Sequence, residues 1–265
     1  VCGRNYRKHE AVNLMIYEFE IRKFERVNFV TKPKVVVFDL YDTLLHDIKF
    51  DFNSGLIYLY EEILSKDIDK FEFLNYAATY WKELYDSRDK DNIEVAFDDE
   101  LLDLKNKYGF REDYQVEEIL LNCALKMNSV ELFEDTIFIL EHLNNLGIPV
   151  YLLSNAIFKK EIMKKIINRY DLEKYFKNIH FSADYKLRKP HQDLFKVIFE
   201  DIKKDNDSIE KNQIYFIGDN FEADVKGAGN FGFIPVFINR KQDTDVNRES
   251  YIEIKSLSEL LEVMS

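Results

Sequence analysis

The sequence predicts an α/β fold: a parallel sheet covered by helices on both faces, with an α-helical block inserted into it. Three observations predict it. Short apolar runs, from Val35-Val36-Val37-Phe38 to Ile234-Pro235-Val236-Phe237-Ile238, read as strands buried on both sides. After residue 131 such runs alternate with segments of helical spacing, the pattern of parallel strands joined by right-handed crossovers. Residues 46–130, by contrast, are patterned only as helices.

The chain opens with residues 1–33, an N-terminal extension. Ala11, Val12, Met15, Ile16 and Phe19 recur at helical spacing among charges and predict an amphipathic helix over about 8–27. Pro33 breaks that pattern. Val35–Phe38 then forms the first strand, expected at the centre of the sheet, and Asp39 ends it. Residues 46–130 carry apolar groups such as Leu59, Ile63 and Leu64, or Val116, Ile119 and Leu120, separated by polar breaks such as Ser87–Asn92. No strand is expected there. The block reads as a separate helical domain, inserted into a core formed by 34–45 and 131–265.

A helix over 131–145 follows, closed by Gly147. Strands are expected at 148–153, 178–181, 213–217 and 234–238, with helices at about 157–169 and 192–203. A strand-like piece at 252–254 and a helix at 257–264 complete the chain.

Composition bounds the function. With 265 residues, 46% hydrophobic and 32% charged, the chain reads as soluble and globular. A net charge of −12 argues against nucleic acid and against anionic membrane surfaces as partners. No apolar run approaches the ~20 residues that span a bilayer. Cys2 and Cys123 lie far apart, with no metal-binding spacing and no disulfide framework. Two reduced thiols in a cytoplasmic protein are expected. Tyr80-Trp81 reads as core packing.

The chemistry gathers at the strand ends. The first strand ends in Asp39, with Thr43 able to tie the turn back. The second ends in Ser154-Asn155. The fourth runs into Gly218-Asp219, with Asp224 one turn further on, and Lys189-Pro190 opens a helix. In a parallel sheet these ends share one edge, where such sheets bind ligands. Carboxylates gathered on one edge repel unless a cation binds among them. Hard oxygen donors suit Mg²⁺, which takes one or two carboxylates together with substrate phosphate oxygens. A lysine and a serine beside them suit a phosphate.

Those residues resemble the motifs of the haloacid dehalogenase superfamily of hydrolases, most of which are phosphatases. The resemblance runs from about residue 34 to the C-terminus and implies a Rossmann-like core, with the helical block in the position of the family's cap. Val35–Leu45 resembles the first motif, with Asp39 as nucleophile and Leu40 and Thr43 beside the substrate. Leu153-Ser154-Asn155 is similar to the second, with Ser154 on the phosphate. Ser182 through Lys189-Pro190 resembles the third, with Lys189 binding phosphate. Gly218-Asp219 with Asp224 resembles the fourth. The resemblance implies Mg²⁺ held by Asp39, the backbone carbonyl of Tyr41 and Asp219, with Asp224 supporting it. It also implies a small phosphorylated substrate and an aspartyl-phosphate intermediate.

One position departs from the pattern. Phosphatases of this family carry a second Asp two residues after the nucleophile, as general acid and base; here that position is Tyr41. Asp42 is expected to face away from the pocket, because successive residues of an extended stretch point to opposite sides. Asp39-Leu40-Tyr41 resembles instead the 2-haloacid dehalogenases of the same superfamily, which need neither the acid nor a metal. Yet Asp219 stands where those enzymes carry Ser, Phe195 where they carry Tyr, and Lys82 where a substrate-binding Arg is expected. A Mg²⁺-dependent phosphatase with a weakened acid step is therefore the leading reading. A dehalogenase-like hydrolase and a catalytically weak domain that binds a phosphorylated ligand are the alternatives. Substrate identity and oligomeric state are left open by the sequence.

Overall fold

A computed structural model describes residues 32–64, 68–111, 115–241 and 251–264. The helix expected over 8–27, and Cys2, lie outside the described residues.

The core is a six-stranded sheet. Its strands are β1 (Val35–Phe38), β4 (Val150–Ser154), β5 (Asn178–Phe181), β6 (Ile214–Gly218), β7 (Ile234–Ile238) and β8 (Ile252–Ile254), in the spatial order β5-β4-β1-β6-β7-β8. Every pairing is parallel, and β1 is central, with Val36 opposite Val150 on one side and Tyr215 on the other. The chain builds outward from β1 first through β4 and β5, then crosses to β6. The strand order thus reverses beside β1, and the crevice at that switch point is where open α/β sheets place ligands.

Alternation along the strands fills both faces. Val36, Phe38, Val150, Leu152, Tyr215 and Ile217 belong to one buried cluster; Val35, Val37, Tyr151, Leu153, Ile214 and Phe216 belong to the other. Both faces are dry, so the strands are apolar throughout rather than alternating with polar residues. The second cluster packs on Leu194, Phe195 and Ile198 of the helix Gln192–Asp205. The first continues into the helix Thr136–Asn145 and into the insert.

The insert holds four α-helices among its described residues: α1 (Phe52–Tyr58), α2 (Lys70–Asp91), α3 (Phe97–Tyr108) and α4 (Val116–Met127). Asp69 caps α2 by accepting from the Glu72 N–H at 2.9 Å. Trp81 packs against Phe52 and Phe97, in keeping with a core role.

Two expectations need correcting. The insert is not purely helical, because β2 (Leu45–Phe50) and β3 (Asn128–Leu132) pair antiparallel across its base. The helix expected over 131–145 accordingly begins at Thr136, since Glu131 and Leu132 belong to β3. Ile48 and Phe50 are more than half exposed. Only Leu45 and Val130 of the ribbon are buried, so the sequence carries a weak burial signal for it.

Candidate active site

Asp39 leaves the central strand at its carboxyl end and is 6% exposed. The turn that follows is closed by the Leu44 and Leu45 N–H groups, both donating to the Leu40 carbonyl at 2.8 and 3.0 Å. Thr43 Oγ1 reaches Asp39 Oδ2 at 3.4 Å, and Ser154 Oγ donates to Asp39 Oδ1 at 2.9 Å. The neighbouring strand β4 thereby fixes the carboxylate that the sequence singled out. Leu40 itself is wholly buried.

Lys189 arrives from the segment after β5. Its ammonium lies 2.5 Å from Asp39 Oδ1 and 2.6 Å from Asp224 Oδ1. Asn155 holds the lysine's backbone from both sides: the Lys189 N–H donates to Asn155 Oδ1 at 2.8 Å, and Asn155 Nδ2 donates to the Lys189 carbonyl at 3.2 Å. Burial disfavours the lysine's charge, but Asp224 and Asp39 outweigh it and hold its pKa above the ordinary value.

Asp39, Asp219 and Asp224 each offer an oxygen within 4.8 Å of the others. Burial, then the charges of Asp39 and Asp224, push the Asp219 carboxyl up to about 8. Burial pushes Asp224 up to about 6, against the pull of Lys189. Gly218 is required here: a Cβ on it would sit 2.3 Å from Asp224 Oδ2. That missing side chain lets Asp224 fold back, where it also accepts from the Asn220 N–H at 3.0 Å. Three hard oxygen donors facing one another, with a single lysine against them, fit a small divalent cation.

The residues around Tyr41 divide between two cavities. The Tyr41 side chain lines a cavity of about 370 Å³ together with Asn155, Arg88 and Arg188. Its hydroxyl points at Met163 Sδ, 4.0 Å away, and burial with nearby Asp47 and Asp39 drives its pKa well above the usual tyrosine value. A hydroxyl that faces a thioether, with its pKa raised, is poorly matched to acid–base work at neutral pH. Asp42, expected to face away, instead lines a second cavity with Asp219, Arg240 and Lys241. Its φ of 56° is left-handed, which breaks the alternation of an extended strand.

The described fold and this geometry agree with the comparisons. Residues 33–232 match the haloacid dehalogenase-like hydrolases. The chain belongs to that family. Over 134 residues this hydrolase is 25% identical to the glyceraldehyde 3-phosphate phosphatase of Methanocaldococcus jannaschii, a match spanning 50% of this chain and 56% of that protein. The chain thus aligns with little more than half the length of this curated relative. Among solved structures it is similar to a phosphatase of the family from Thermococcus onnurineus, at a TM-score of 0.59 and 24% identity, covering 87% of this chain and 97% of that one. It is equally similar to the 2-haloacid dehalogenase of Pseudomonas syringae pv. Tomato, at a TM-score of 0.60 and 18% identity, covering 89% and 98%. At these identities the structural likeness shows the fold, which phosphatases and dehalogenases share.

Some residues of this hydrolase's site were not foreseen from sequence. Arg88 and Glu94, both from the insert, form a buried ion pair at 2.6 Å. Ser182 Oγ donates to Glu94 at 2.7 Å, so the insert meets the core directly behind the site. Backbone bonds join the same two segments, from Glu94 N–H to the Lys186 carbonyl at 3.2 Å and from Arg188 N–H to the Asn92 carbonyl at 2.9 Å. Only the neighbourhood of Arg188 to Lys189 could have signalled any of this. Among the described residues no helix is long and apolar enough to cross a membrane.

Proposed function

We propose that this hydrolase is a Mg²⁺-dependent phosphatase acting on a small phosphorylated metabolite. The observation that carries the reading is Lys189, seated between Asp39 and Asp224 with Asp219 in reach of both. A buried lysine on the nucleophile suits a phosphate that brings several negative charges of its own. The partial likeness to a glyceraldehyde 3-phosphate phosphatase supports it.

In this reading the Asp39 carboxylate, oriented by Ser154 and Thr43, attacks phosphorus; the bond from phosphorus to the ester oxygen breaks, and that oxygen takes its proton from water. Lys189 turns from the carboxylate to the phosphoryl oxygens and neutralises them. Water then attacks the phosphorus of the aspartyl-phosphate, restoring Asp39 and releasing phosphate. Asp39, Asp219 and the Tyr41 carbonyl would hold Mg²⁺, with Asp224 in support; when bound, the ion supplies charge neutralisation at the transferred group. The insert, residues 46–130, acts as a cap over the crevice, on a core formed by 34–45 and 131–265.

Tyr41 favours a second reading, a dehalogenase-like hydrolase, because halide leaves carbon without a proton. Turnover of p-nitrophenyl phosphate with Mg²⁺, lost in EDTA, supports the phosphatase. Halide release from a 2-haloacid that persists in EDTA would overturn it.

A further inference from the structure

We propose that the cavity beside Tyr41 and Asn155 receives a second acidic group of the substrate, so that the preferred molecule is a short phosphate monoester bearing a further carboxylate or phosphate. This rests on the phosphatase reading above and names its substrate class.

The cavity encloses about 370 Å³, room for a small metabolite. Arg88, Arg169 and Arg188 are among its lining residues, and Asp47 is the sole acidic residue among the described ones. That is a concentration of positive charge in a chain of net charge −12. A cleft whose lining carries an excess of positive charge draws an anion in.

Two of the arginines are held by a common carboxylate. Arg88 is buried, its Nη2 lying 2.6 Å from Glu94 Oε1, and Arg188 Nε approaches Glu94 Oε2 at 4.0 Å. One carboxylate, itself fixed by Ser182, therefore sets two guanidinium planes from distant segments against one wall. Arg169 is exposed at the rim and makes no ion pair among the described residues. A planar guanidinium offers paired donors that match a carboxylate or a phosphate.

The cavity adjoins the reacting groups through two lining residues: Tyr41, two positions beyond Asp39, and Asn155, whose amide holds the Lys189 backbone. Its volume leaves room only for a short carbon skeleton beside the phosphate. Phe158 and Met163 supply apolar wall for that skeleton.

The test uses three matched ligands: propyl phosphate, the phosphate ester of 3-hydroxypropanoate, and propane-1,3-diol bisphosphate. Their binding to Asp39→Asn protein with Mg²⁺ is measured by calorimetry. At least one diacid is expected to bind about tenfold or more tightly than propyl phosphate, as a charge-assisted pair supplies. The ranking of the two diacids tells carboxylate from phosphate. Arg169→Gln, an exposed position that does not threaten folding, is expected to shrink that ratio severalfold. Equal binding of all three, or a preference undiminished in Arg169→Gln, overturns the inference. Turnover of p-nitrophenyl phosphate by the unaltered protein is read in parallel. Turnover without a diacid preference removes this inference and leaves the phosphatase; a diacid preference without turnover does the reverse.

Discussion

At the carboxyl edge of the sheet, Asp39, Asp219 and Asp224 are brought within 4.8 Å of one another around Lys189. In the insert, Glu100 of α3 is wholly buried and makes no ion pair among the described residues. Burial pushes its carboxyl up to about 9, against a smaller opposing pull from the Trp81 indole. Both regions bury acids, and they settle the charge differently. At Glu100 burial alone raises the carboxyl, with no cation beside it. At the sheet edge a lysine stands among the carboxyls, and burial together with their mutual repulsion raises Asp219 to about 8 and Asp224 to about 6, with oxygens that face one another. A lone buried acid is thus a matter of local stability, whereas acids gathered around a counter-charge are arranged for a ligand.

The largest effect should come from removing the reacting group. Asp39→Asn is expected to lower phosphate-ester turnover on the order of 10⁴-fold or more, as loss of a nucleophile does, measured by phosphate release. Asp39→Asn also breaks the buried Asp39–Lys189 pair, so thermal stability is measured beside turnover.

Lys189→Met should place the edge in the situation of Glu100. Two buried acids would lose their partner, which costs about 3–5 kcal/mol when a buried pair is broken. Turnover should fall on the order of 10²–10³-fold, the usual effect of losing one group that stabilises transition-state charge. Denaturation with and without Mg²⁺ checks the first part. If the ion restores none of the lost stability, the edge is not a cation site.

Tyr41→Asp should sharpen the contrast by adding an acid where the geometry can use one. Aryl phosphates leave without a proton and should gain little. Alkyl phosphates should gain by up to ~10²–10⁴-fold. Loss of activity on both would give Tyr41 a role of its own, as in the dehalogenase reading.

The smallest effect lies in the insert. Glu100 has a raised pKa in the folded state, so the folded protein holds a proton that the unfolded chain releases. Stability should therefore fall as pH rises from about 4.5 to about 9, and flatten beyond. Glu100→Gln should remove that slope, which by pH 7 amounts to about 3 kcal/mol. Urea denaturation across that pH range measures it. Equal slopes in both proteins would mean that Glu100 is charged in the fold.

How much of this was legible in the sequence follows from how local each signal is. Val35–Phe38 with Asp39, Ser154 after its strand, and Asp219 after Gly218 are local patterns, and the structure brings all three to one edge. Lys189 was legible through its neighbour Pro190 and its place in the motif. The β2–β3 ribbon was not, because its two strands pair across the whole insert and expose Ile48 and Phe50. The Arg88–Glu94–Arg188 group was hidden for the same reason: its members meet only once the insert is folded against the core. Asp42 was misplaced because a left-handed residue cannot be read from alternation. Glu100 did leave a trace. It shares a helical face with Phe97, Leu101 and Leu104, all buried, although the run Asp98-Asp99-Glu100 looks like a solvated helix start.

In the proposed reaction Asp39 is the nucleophile toward phosphorus. The most direct measurement is mass spectrometry of the protein quenched in acid during turnover of an aryl phosphate with Mg²⁺. An adduct of one phosphoryl group is expected on the peptide that contains Asp39, absent from Asp39→Asn protein. Steady phosphate release by the unaltered protein, with no adduct on that peptide at any quench time and undiminished release by Asp39→Asn protein, would contradict it.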